Sequence, residues 1–214
     1  MSPESGGRGL REIASYFLTA TPPPRIGLLR LGSPDLDMAV MAIAASLEHA
    51  GKRVLLLRSD HQPNGGDDLI AVRAGGFREG PLDNCQTGNE RLGREERASD
   101  LLLFLLHPEC PALSRLVPLL SLLILLLPRE PAEVLGAYRS AKRALVARRV
   151  PSCGVFAAGE GEAVATVLKR FLLGLRVFLD LHPLNFGTAA ATCAREIVTL
   201  QLESPAEPYF RGNP

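Results

Sequence analysis

Three carboxylates and an imidazole are the groups in this chain whose types could do chemistry: Asp35 and Asp37 in "LGSPDLD", Asp60 in "VLLLRSD" and His107 in "LFLLHPEC". Carboxylate and imidazole are competent ligands for a divalent cation, so their convergence would build an acidic metal-dependent site. Their spacing follows no metal-site pattern, and each has a simpler structural job. Asp35 or Asp37 can cap a following helix, and Asp60 can stand solvated at a strand end. Nucleophilic catalysis lacks its parts. Ser33 does not sit in G-x-S-x-G, and no Ser or Cys is spaced to join His61 and Asp60 in a triad. Cys85, Cys110, Cys153 and Cys193 are scattered without a C-x-x-C pair, which reads as reduced, mostly buried thiols rather than a zinc site or a disulfide framework.

The turn that carries two of these carboxylates, Gly32-Ser33-Pro34-Asp35-Leu36-Asp37, lies between a strand and a long helix that leads into a second strand, "GKRVLLL". That order outlines a phosphate-binding loop, yet the turn contains no lysine. Such a loop needs glycines so that backbone N–H groups can approach the phosphates, and a lysine to neutralise them. Pro34 removes one donor. Asp35 and Asp37 bring negative charge to the phosphate position, where two like charges about 4 Å apart in a partly buried site repel by several kcal/mol.

The elements that must position these residues follow from periodicity. Strands are expected at 26–31, 53–57, 101–106, 122–127 and 152–157, with short ones at 178–181 and 197–200. Helices are expected at 38–50, 133–147 and 162–173, with a helical turn at 112–118 and Gly51 as the C′ residue of the first. Residues 61–98 are rich in Gly and charge and read as a surface excursion with a short helix or strand. The Leu-dense stretch 101–128 is broken by His107, Pro108, Glu109, Pro111 and Arg115. Its longest run, Leu116–Leu127, has 12 residues, against roughly 20 for a membrane-spanning helix. Two short apolar runs of this kind fit central parallel strands buried on both faces. The whole succession is α/β: a single doubly wound, mostly parallel sheet flanked by helices on both faces. Ligands of such sheets bind at the carboxyl ends of the strands, where the loop 32–37, residues 58–60 and residues 107–110 all fall.

The bulk numbers set outer bounds. At 214 residues one α/β domain is expected, and 46% hydrophobic residues with 5% aromatic and no Trp call for an aliphatic core. A net charge of +1 gives no bulk argument for a nucleic-acid partner. The basic run "RSAKRALVARR" reads as a solvated helix face. The N-terminus has no apolar signal-peptide core, so a cytoplasmic location is expected. Residues 10–18 suit a short amphipathic helix with Leu10, Ile13 and Phe17 on one side.

The chain resembles the MinD/ParA family of deviant P-loop ATPases, and within it the flagellar-number regulators. "AIAASLEHAGKRVLLLRSD" is similar to the family's N-L-A-x-x-L-A-x-x-G-K-R-V-L-L-I-D-A-D, "SDLLLFLLHPECPALS" to D-Y-V-L-I-D-T-x-x-G, and "LLSLLILLLPREPAEVLGAYRSAKRAL" to A-D-E-V-L-V-V-T-x-P-E-P-x-A-x-x-D-A-Y-x-x-I-K. "GEGEAVATVLKRFL" and "LDLHPLNFG" resemble the family's later helix and strand. The resemblance implies the P-loop NTPase type of fold, and it also implies what has been lost. The family's K-G-G-x-G-K-T falls on Leu31-Gly32-Ser33-Pro34-Asp35-Leu36-Asp37, so the cross-dimer lysine becomes Leu31, the phosphate lysine Leu36 and the Mg²⁺-binding Thr Asp37. The first Asp of D-x-D is Arg58 and only Asp60 survives. The Asp of D-T-x-x-G aligns with Leu105, and the adenine-reading Asn aligns near Ala157.

The expectation is therefore a catalytically inactive pseudo-ATPase without a cofactor or metal, working as a protein-interaction or regulatory module in polar, flagellar or division positioning. Its organisation is an amphipathic helix and Pro-rich linker (1–24), the α/β domain (25–204) and a tail (205–214). A protein partner such as an active paralogue is expected, engaged through Leu10, Ile13 and Phe17 if the flagellar branch is followed. A homodimer is possible, and neither nucleic acid nor membrane is expected. The alternative is a non-standard nucleotide switch or weak ATPase that uses Arg30 and Arg58. The third reading is the acidic metal site built from Asp35, Asp37 and Asp60.

Overall fold

The computed structural model describes residues 21–32, 35–61, 67–72, 93, 95–110, 113–146, 152–200 and 202. Seven strands, β1 (Arg25–Arg30), β2 (Val54–His61), β3 (Asp67–Val72), β4 (Leu101–Leu106), β5 (Leu122–Leu127), β6 (Cys153–Ala157) and β7 (Leu184–Asn185), form one sheet in the order β3-β2-β4-β1-β5-β6-β7. β3 runs antiparallel to β2, and every other neighbouring pair is parallel. The expected α/β architecture is therefore present.

The Leu-dense stretch supplies two adjacent flanks of the central strand. β4 (LLLFLL) and β5 (LLILLL) are buried along their whole length, because helices cover both faces of the sheet. α1 (Leu36–His49) and α5 (Ala190–Thr199) pack together over one face, closing a core with Ile26, Leu28, Leu56, Leu103 and Ile124. α2 (Leu113–Leu116), α3 (Val134–Val146) and α4 (Glu162–Leu179) cover the other, over Leu29, Leu57, Phe104, Leu125 and Val155. Strand alternation sorts the two sets. α1 ends as expected at Gly51, which has φ 81°. Its N–H donates to the Glu48 carbonyl at 2.9 Å and that of Lys52 to Leu47 at 3.1 Å, the paired bonds of a Schellman close.

Two expected strands are helix instead. Residues 178–181 include the end of α4, whose buried Val164, Val167, Leu168, Phe171 and Leu175 keep helical spacing. The helix stops where Asp180 turns left-handed at φ 52°. Residues 197–199 belong to α5, where Cys193, Ala194 and Ile197 make one buried stripe. A short apolar run looks alike in both periods, and the surface of α1 decided this one. Within the stretch read as an excursion, 67–72 is the antiparallel edge strand. Residues 95–98 form a helical turn that brings Glu96 into the core.

Candidate functional site

The loops after β1 and β4 leave adjacent strands and diverge to opposite faces: the first enters α1, the second α2. This divergence is the topological switch point of an open sheet, and the crevice at its carboxyl edge is where such folds bind ligands. A pocket of about 220 Å³ lies there, lined by Arg30, Leu31, Gly32, His107, Glu109 and Arg143 among others. Ligand pockets commonly measure about 300–1,000 Å³, so this one is small for a nucleotide.

Register explains which charges meet. On the α1 face β1 presents Ile26, Leu28 and then Arg30, while β2 presents Val54, Leu56 and then Arg58, beside Leu105 of β4. Both arginines thus arrive under the first turn of α1, where Asp37 stands. Arg30 Nη1 donates to Asp37 Oδ1 at 2.9 Å, with both side chains partly buried. Arg58 Nη2 lies 3.9 Å from Asp37 Oδ2 and is 46% exposed. One carboxylate therefore faces two guanidiniums on the β1–α1 side of the switch point. The Arg30 Nε is buried without a hydrogen-bond partner.

The expected capping role is corrected by these contacts. Asp35 occupies the N-cap position with helical φ −57° and ψ −22°, and its side chain makes no capping hydrogen bond. An N-cap carboxylate reaches the N2 or N3 amide from an extended backbone, which Asp35 does not adopt. Asp37 serves the helix from its first turn, where negative charge is favoured by the macrodipole, and its oxygens are committed to the arginines.

Gly32 is held in a close approach. A Cβ there would stand 2.8 Å from Pro128 Cβ and 3.0 Å from Glu133 Oε2. A second carboxylate therefore lies against the backbone of the loop. Leu31 is buried, and its N–H donates to the Leu126 carbonyl at 3.1 Å. Leu36 is buried in the α1 core, Leu105 beside it, and Ala157 is fully buried at the end of β6. The His107 Nδ1 accepts the Glu109 N–H at 3.3 Å, a bond internal to its own turn.

Ser33, Pro34, Leu10, Ile13 and Phe17 lie outside the described residues, as does the Asp60 side chain. Among the described residues no group of three or more His, Cys, Asp or Glu could hold a metal ion, and no helix is long and apolar enough to cross a membrane. Sequence reasoning missed Glu133, Ser140 and Arg143. They come from the β5–α3 connection and α3, about 100 residues from the loop they adjoin, and no local pattern marks such a contact. No family model matches the chain, and no curated protein matches it.

Proposed function

We propose that the chain is a catalytically inactive MinD/ParA-like domain, a pseudo-ATPase that works as a protein-interaction or regulatory module. Polar, flagellar or division positioning is the setting its resemblance suggests. One observation carries the reading: the Asp37 carboxylate, paired with Arg30 at 2.9 Å and faced by Arg58 at 3.9 Å, stands in the first turn of α1. A phosphate loop would aim N–H groups and a lysine at an anion there. Asp37 is an anion already in place, and a bound phosphate would meet it as a like charge. Glu133 against Gly32 adds a second acidic group to the loop.

Without a nucleotide to bridge subunits, any dimer rests on constitutive surface burial, and partner binding is not gated by hydrolysis. Partners follow from the resemblance: an active paralogue or a component of the positioning machinery.

The test is calorimetric titration with Mg-ATP and Mg-ADP to millimolar concentration, beside a melting-temperature scan. Neither heat nor a thermal shift is expected. Micromolar binding would replace this reading with the non-standard nucleotide switch, in which Arg58→Glu abolishes binding. Under the pseudo-ATPase reading that charge reversal leaves the null titration unchanged.

A further inference from the structure

The outer face of the α3–α4 layer carries a charge that the chain as a whole does not. α3 contains Arg139, Lys142 and Arg143 and no acidic residue. α4 contains Lys169, Arg170 and Arg176, and its one acid is Glu162 in the first turn. All six cations are exposed, and none belongs to a described ion pair. Six of the chain's 24 Lys and Arg thus lie on this pair of helices against a single acid.

Large apolar side chains are interleaved with these cations. Leu135 is 61% exposed on α3, and Leu173, Val177 and Phe178 are 61, 64 and 73% exposed on α4. Steps of four residues put Lys169, Leu173 and Val177 on one stripe of α4, with Arg170 and Arg176 to either side. Leu135, Arg139 and Lys142 make the matching stripe of α3. Tyr138 pins the seam between the helices. Its ring meets Phe171 and Phe178 edge-on at 6.2 and 6.3 Å, and a Cβ on Gly174 would lie 3.7 Å from it.

We propose that this face docks an acidic amphipathic helix of a protein partner, laid along the α3–α4 seam. The proposal rests on the reading of the chain as a protein-interaction module and names the chemistry of its partner. Exposed Leu, Val and Phe call for apolar burial, and the interleaved cations call for carboxylates at the same spacing. A helix with leucines at i, i+3, i+4 and i+7 and glutamates between them supplies both. A second copy of this chain presents the same cations and is repelled. Nucleic-acid phosphates leave the apolar side chains unsatisfied. An anionic bilayer offers the same pairing of negative charge and apolar depth, and the vesicle arm of the experiment separates it from a helix.

The experiment uses the full chain and a fluorescent peptide of three Leu/Glu heptads with that spacing, followed by anisotropy at low and high salt. Saturable binding at concentrations below roughly 100 µM is expected, weakened about tenfold or more by Arg139→Glu with Arg170→Glu and by high salt. Leu173→Ser with Val177→Ser should weaken it too, with circular dichroism unchanged, since these side chains lie outside the core. Absence of saturable binding overturns the proposal, as does binding that both double variants retain. Sedimentation with phosphatidylcholine–phosphatidylglycerol vesicles without peptide binding also overturns it, in favour of a membrane surface. The nucleotide titration is read separately: ATP binding together with peptide binding removes the pseudo-ATPase reading and leaves this surface standing.

Discussion

At the scale of single residues, Asp37 does the work of a ligand supplied by the chain itself. It neutralises two arginines whose strand positions force them under α1, so removing it tests both its structural and its electrostatic role. Asp37→Ala should lower stability by about 0.5–1 kcal/mol, the range of a partly exposed ion pair, measured by urea unfolding. The same variant should gain a thermal shift with inorganic pyrophosphate that the parent lacks, because Arg30 then loses the carboxylate it donates to and the like charge facing an anion there is removed. If pyrophosphate leaves both melting temperatures unmoved, Asp37 is not an internal substitute for an anion. The cysteines make a second prediction. Burial pushes the Cys153 and Cys193 thiols up to about 12, with Glu196 adding to the effect at Cys193. An unfolded cysteine ionises at about 8.5. Above that pH the unfolded chain releases protons that the folded chain retains, so stability is intact below about pH 8.5 and falls as pH rises toward the folded values. Denaturant midpoints across pH 7 to 11 check the sign, and Cys193→Ala should flatten the slope.

At the scale of elements, five of the seven described strands and all the long described helices but one were legible in the sequence, because long apolar runs and cap residues are local signals. "LLLFLL" and "LLILLL" read as central strands because each run is short and bounded by Pro and polar residues, which suits a strand buried on both faces. Gly51 marked the end of α1 by the same local logic. The last third of the fold was misread where the decision is made by contact. Helix α5 exists because Cys193, Ala194 and Ile197 fit against α1, and the end of α4 continues because Leu175 and Leu179 pack on the same core as Phe171. The site was legible as a position in the fold but not as a set of contacts. Strand alternation could have put Arg30 and Arg58 on one face, whereas Glu133 and Arg143 are brought in by crossovers that leave no sequence mark. Gly154 in β6 carries a constraint of this non-local kind. A Cβ there would overlap the ring of Phe186, which is buried at the end of β7. Gly154→Ala should therefore cost about 1–3 kcal/mol by overpacking, and Phe186→Leu should recover part of that loss in the double variant. Equal losses with and without the Phe186 change would mean that the ring is not what the glycine accommodates.

At the scale of the whole molecule, the segment before β4 is tied to the centre of the sheet by a buried charge pair. Arg25 opens β1, the middle strand, and Glu96 sits in the helical turn at 95–98. Arg25 Nη2 lies 3.5 Å from Glu96 Oε1, with side chains 4 and 0% exposed. A buried pair of this kind gains little over apolar packing, but losing one member leaves an expensive uncompensated charge. Glu96→Ala should accordingly remove about 3–5 kcal/mol, a large share of the roughly 5–15 kcal/mol that holds a domain folded. Arg25→Met combined with Glu96→Leu should be far milder than the sum of the single changes, and near the parent if the site repacks. Urea unfolding of the two single variants and the double variant closes the cycle, and additive losses would refute the coupling. The outcome bears on function as well as stability. Arg53, at the start of β2, is joined to Asp100 at 2.8 Å on the same amino edge. There the hydrogen bonds from Arg53 hold the Asp100 carboxyl below its usual range. The amino edge is thus fastened by ion pairs on two strands, one of them buried. The carboxyl edge carries the Asp37 cluster and the pocket, so loosening the Arg25–Glu96 pair should lower stability while leaving the nucleotide and peptide titrations of the folded chain unchanged.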